Sequence, residues 1–99
     1  MKKGHEKVER QRHKELFSAL LSLKNAEECQ KFLDDLCTPA ELQAISDRWH
    51  VARLLEKKIP YRQVYEQSGV STATITRVAR CLLKGVGGYR LLLSRLHRK

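Results

Sequence analysis

Along this 99-residue chain apolar residues recur at steps of three and four, and nowhere do they alternate with polar ones over the length of a strand. The pattern predicts an all-α protein. Leu16, Phe17, Leu20, Leu21 and Leu23 mark a first helix from about residue 6 to 23, whose charged N-terminal end is expected to fray. Asn25 is placed to cap a second helix reaching Leu36, with Cys29, Phe32, Leu33 and Leu36 on one face at i, i+3, i+4 and i+7.

The clearest boundary is Thr38-Pro39-Ala40-Glu41. Thr38 can cap, Pro39 suits the first helical position, and Glu41 stands three residues after the cap. The helix opened there, about 39 to 57, carries Leu42, Ile45, Trp49, Val51, Ala52, Leu54 and Leu55. Because it is apolar over more than one stripe, it is expected to be central and touched from several sides. Pro60 opens a short helix, PYRQVYEQS, that ends at Gly69. Ser71 then caps a helix of about 72 to 84, which Gly85, Gly87 and Gly88 stop, and Tyr89 to His97 forms the last. The organisation expected is one domain over 1–99, with 6–57 as a helical dimerisation core, a two-helix motif in 60–84 and a C-terminal helix in 88–97.

Two short helices joined by a tight turn with Gly describe a helix-turn-helix, whose second helix enters the DNA major groove. Val64, Val70, Ile75 and Val78 hold the apolar positions of that pattern and Gly69 holds the turn; Tyr65 replaces the small residue usual after Val64, which suggests a wider angle between the helices. With Ile75, Val78, Ala79 and Leu82 turned inward, Thr72, Ala73, Thr76, Arg77 and Arg80 fall on the outward side or its margins. Hydroxyls can reach bases or phosphates, methyls can meet thymine, and Arg can bond guanine through two donors. Ser71 and the free N–H groups at the helix start can take a phosphate oxygen. Arg62 and Lys84 complete the expected DNA-binding set.

Charge sharpens this reading. Residues 58–99 hold nine Lys or Arg against the single acid Glu66, a balance of +8, while residues 1–57 are nearly neutral. A polyanion-binding half has this asymmetry, since each phosphate neutralised by Lys or Arg releases a counterion. The length fits one domain, and a monomer of this size buries only ~60–65% of its unfolded surface, which favours oligomerisation. Cys29, Cys37 and Cys81 form no C-x-x-C pair, so buried free thiols in a reducing cytoplasm are expected rather than a disulfide framework or zinc ribbon. The charged N-terminus does not look like a signal peptide, and no segment has the ~18 uninterrupted apolar residues of a membrane span.

The stretch CTPAELQAISDRWHVARLLEKKIPYRQVYEQSGVSTATITRVARCLLKG, residues 37–85, resembles the DNA-binding half of the Trp repressor family, in a branch whose effector is generally unassigned. The matching pieces are the T-P-x-E helix start, Arg48, the run from Arg62 through Gly69-Val70-Ser71, and above all Ala73-Thr74-Ile75-Thr76-Arg77. The resemblance implies an intertwined all-helical homodimer that presents two helix-turn-helix units to a palindromic operator on double-stranded DNA. It also implies an effector pocket, in which Thr38, Arg48, Thr74 and Arg77 match positions that line the pocket or bind the ligand's polar groups. Two positions depart from the Trp repressors: Val78 stands where they have Gly, and Cys81 where they have Ser. Valine tends to fill the slot left for the indole and a thiol is a poor hydrogen-bond partner. Tryptophan is therefore not the expected effector: either Val78 acts as a built-in filler that fixes the reading heads or the pocket accepts something smaller, so the effector is left open, and no cofactor is expected.

Ser46, Asp47 and His50 lie close together on the central helix, but no Gly-rich elbow or oxyanion motif accompanies them, so an ordinary helix-surface group is expected. His5, His13 and His97 are too scattered for a metal site, there is no P-loop or dinucleotide fingerprint, and no enzyme activity is expected. The leading expectation is a cytoplasmic, nucleoid-associated homodimeric transcription regulator, most simply a repressor. Its rivals are the DNA-binding part of a transposase or recombinase system and a basic protein-interaction module without specific DNA binding.

Overall fold

The computed structural model describes residues 2–97 and contains six α-helices: α1 (Lys2–Leu21), α2 (Ala26–Leu36), α3 (Pro39–Glu56), α4 (Tyr61–Ser68), α5 (Thr72–Lys84) and α6 (Gly88–His97). By its contacts the chain divides into two compact units, 1–38 and 39–99, so the boundary falls at Thr38-Pro39, within the stretch expected as a dimerisation core.

In the first unit, α1 starts earlier and ends sooner than its apolar residues suggest. Lys, Glu and Arg are good helix formers, so the charged stretch is helical from Lys2 without an apolar stripe. The helix closes in a turn where the Ser22 hydroxyl donates to the Ala19 carbonyl at 2.7 Å. Asn25 caps α2: its side chain accepts from the Glu28 N–H at 2.9 Å, and Glu28 in turn accepts from the Lys24 N–H at 2.9 Å. This reciprocal arrangement satisfies two donors at the helix start. The helix is strongly amphipathic, yet none of its residues is buried.

The second unit contains every fully buried apolar side chain of the described residues. Val51, Ala52 and Leu54 of α3 meet Val64 of α4, Val70 of the turn, Ile75 and Val78 of α5, and Leu93 of α6 in one cluster. Helix α3 packs against α4, α5 and α6, as expected of a central helix. Each Val, Leu or Ile side chain so taken from water contributes about 1.5–3 kcal/mol. Trp49 and Tyr89 sit at the margin of the cluster and stack, with ring centroids 6.4 Å apart and planes 16° from parallel.

The corner after α3 is closed by Lys58, whose φ of 64° is left-handed. The Lys58 N–H reaches the Leu55 carbonyl at 2.9 Å and the Ile59 N–H reaches Leu54 at 3.3 Å. Such a close usually takes Gly, because a Cβ is strained at this φ. Pro60 then caps α4 without becoming its first helical residue. At the far end of α5, a Cβ on Gly85 would collide with the Cys81 carbonyl, so only Gly permits this exit. Gly85 ends α5, and Gly88 opens α6, the helix expected over 88–97.

Candidate nucleic-acid interface

Helices α4 and α5 form the two arms of the motif, and their connection is built by local hydrogen bonds. Gly69 takes φ 71°, at the left-handed position that ends α4, and its N–H reaches the Tyr65 carbonyl at 2.9 Å. The Ser68 hydroxyl donates to the Val64 carbonyl at 2.6 Å and accepts from the Val70 N–H at 3.1 Å. Val64 and Val70 are buried on either side of this turn. Tyr65 keeps 49% of its surface exposed, so its ring is not wedged into the core.

Ser71 caps α5 as expected, accepting from the Thr74 N–H at 3.2 Å. Its hydroxyl also donates to the Thr74 hydroxyl at 3.1 Å, so it serves the helix's own start. Along α5 the division of faces is clear. Ile75, Val78 and Ala79 are buried, whereas Ser71, Thr72, Ala73, Thr76, Arg77, Arg80 and Lys84 are exposed. Arg62 is exposed on α4. Among the described residues no carboxylate pairs with Arg62, Arg77, Arg80 or Lys84, so this face presents uncompensated positive charge.

Between the start of α4 and the flank of α5 lies a shallow hollow of about 320 Å³ that brings Tyr61 beside Thr76, Arg80 and Lys84. Tyr61 is not among the residues that the sequence pattern singles out. An aromatic residue directly after Pro60, at the first position of the first arm, is the available signal.

The residues expected in an effector pocket are placed less uniformly. Thr38 belongs to the first unit and the other five to the second. Thr74, Arg77, Val78 and Cys81 follow one another on α5 at i, i+3, i+4 and i+7, and Arg48 lies half-buried on α3. Val78 has no exposed surface at all; its methyl groups belong to the core. Cys81 is a half-buried free thiol and lines a hollow of about 420 Å³ with Trp49, Tyr89 and Leu92. Cys29 and Cys37 are likewise half-buried rather than buried. On α3, Asp47 accepts from the Gln43 amide at 2.8 Å, a helix-surface contact of the ordinary kind.

A family model described as the Trp repressor protein matches residues 11–97. The chain belongs to the Trp repressor family. It is 46% identical over 82 residues to the uncharacterized protein YerC of Bacillus subtilis, a match covering 83% of this chain and 79% of that protein. It is 43% identical over 54 residues to the Trp operon repressor homolog of Actinobacillus succinogenes, with 54% of each chain covered. Among solved structures, a proposed Trp repressor from Staphylococcus aureus superposes with a TM-score of 0.87 at 42% identity, over 95% of this chain and 94% of that one. A TrpR-like protein from Eubacterium eligens gives 0.86 at 40% identity, over 93% and 95%. This protein therefore has the all-α Trp repressor-like fold and the character of a DNA-binding regulator. Among the described residues no helix is long and apolar enough to cross a membrane.

Proposed function

We propose that this member of the Trp repressor family is a sequence-specific regulator of transcription that binds a palindromic operator in double-stranded DNA as a homodimer, and that it acts as a repressor. The observation that carries the reading is the face of α5: Thr72, Ala73, Thr76, Arg77, Arg80 and Lys84 lie exposed on a helix whose opposite side is anchored in the core. Such a helix can enter a major groove without disturbing the fold, and its cations are free to meet phosphates or guanine. Arg77 and Arg80 are assigned to bases, Arg62 and Lys84 to phosphates, and Tyr61 can add a phenol donor beside them. A two-fold dimer would present two such helices to half-sites about one helical turn apart.

Binding is expected to need no tryptophan. The support is Val78, fully enclosed where the repressors that use tryptophan have Gly, together with the thiol of Cys81. Selection of bound fragments from a genomic library at near-physiological salt, with no ligand added, tests the proposal. One symmetric site should be recovered. Recovery of duplexes without any common sequence would favour a basic interaction module instead, and a tenfold or larger fall in the operator dissociation constant on adding L-tryptophan would refute ligand independence.

A further inference from the structure

We propose that the cleft between the C-terminal end of α3, the Lys58–Tyr61 corner and the inner flank of α5 is a binding site for a small organic anion, an apolar body bearing a carboxylate. The cleft holds about 530 Å³, within the range of sites that take small molecules. It is not the effector pocket implied by family resemblance, since none of Thr38, Arg48, Thr74, Arg77, Val78 and Cys81 lines it.

Its floor is apolar: Leu55 and Ile59 come from α3 and the corner, and Ala79 and Leu82 from α5. Leu83 and Tyr61 form the lips, 72% and 51% exposed, and leave a large apolar surface in water that a ligand body would cover. Two cations stand at the rim, Lys58 and Arg90. Arg90 is more than a mobile surface charge, because its Nε donates to the Leu82 carbonyl at 2.7 Å. That bond orients the guanidinium and leaves its terminal NH2 groups with no carboxylate partner among the described residues. The acid lining the cleft, Glu56, has its Oε1 3.2 Å from His97 Nε2. Two cations against one engaged carboxylate favour an anion, and a preoriented guanidinium favours a planar carboxylate over a point charge.

The position also gives occupancy a consequence. Ala79 and Leu82 lie on α5 and Tyr61 begins α4, so a ligand here touches both arms of the helix-turn-helix, and the cleft shares Tyr61, Ala79 and Leu83 with the hollow that carries Thr76 and Arg80. Binding would bias the spacing of the arms, and operator affinity would change with it.

The test does not depend on DNA binding. The full chain, labelled with 15N and 13C, is titrated with 2-naphthoate and separately with neutral 2-naphthamide, and amide and methyl signals are followed. The expected result is saturable shifts at Ala79, Leu82, Leu83 and Arg90, with the carboxylate bound about tenfold more tightly than the amide. Arg90→Gln should abolish that preference while leaving amide binding in place. Leu83→Glu, at an exposed lip where folding is not at stake, should weaken 2-naphthoate about tenfold through charge repulsion. Equal affinity for the two probes would overturn the proposal. So would shifts confined to the hollow of Trp49, Cys81 and Tyr89, or no saturation by either probe.

Discussion

Helices α2 and α5 are the two most amphipathic in the chain, and only α5 fully buries residues of its apolar face. Helix α5 buries Ile75, Val78 and Ala79 in the core of its own unit. Helix α2 has an equally regular apolar face of Cys29, Phe32, Leu33 and Leu36, yet fully buries no residue of it: the first three are half-buried and Leu36 remains 52% exposed. The same periodicity therefore has two different outcomes. A stripe matched by neighbours in the same unit anchors its helix in the core, while a stripe left half-open is a surface that the proposed second chain would cover. On the proposed dimer, α2 is one of the surfaces that association covers.

Substitutions on the two stripes should then fail in different ways. The largest effect is expected at Ile75→Ala, which leaves a cavity in the core and should lower unfolding free energy by ~2–5 kcal/mol in chemical denaturation. Phe32→Glu should instead weaken dimerisation by about a hundredfold or more, ~2.7 kcal/mol, read by sedimentation equilibrium. Unaltered dimerisation in that variant would break the comparison and return α2 to the status of an exposed surface helix. Next, Arg77→Ala should cost ~1–3 kcal/mol of operator binding with a changed preference at one base, whereas Lys84→Ala should weaken all duplexes alike and reduce the salt slope by about 1. Ser71→Ala removes the cap of α5 and should cost ~1 kcal/mol of stability, seen as a lower melting temperature. The smallest effect is a gain: Lys58→Gly relieves the left-handed strain of a Cβ and should stabilise the fold by ~0.5–1 kcal/mol in the same melt.

Much of the scaffold is legible in the sequence. Ser71 and Gly85 bound α5 where the pattern predicts, because a cap and a terminator act through local geometry that depends on a few neighbouring residues. The inward and outward faces of α5 are legible for the same reason, since helical periodicity alone sorts Ile75 and Val78 from Thr76 and Arg77. The extension of α1 to Lys2 is not, because helix propensity there acts without an apolar stripe to mark it. Nor is the left-handed Lys58, since nothing about a lysine announces that the Leu54 and Leu55 carbonyls will be closed at that point. Tyr61 and Arg90 escape sequence reasoning for a different reason. Each acquires its place through contacts between segments that periodicity does not connect: Tyr61 beside Thr76 and Arg80, and Arg90 on the Leu82 carbonyl. Val78 is fully enclosed, as its place on the inward face of α5 implies.

The most direct measurement is the dissociation constant for the selected symmetric duplex against the same duplex with one half-site scrambled, by fluorescence anisotropy at near-physiological salt without added ligand. The account predicts a loss of about a thousandfold or more on scrambling, because a dimer that reads both half-sites forfeits one full set of base contacts. Equal affinity for the two duplexes would contradict it, leaving the basic face of α5 as a sequence-blind polyanion surface.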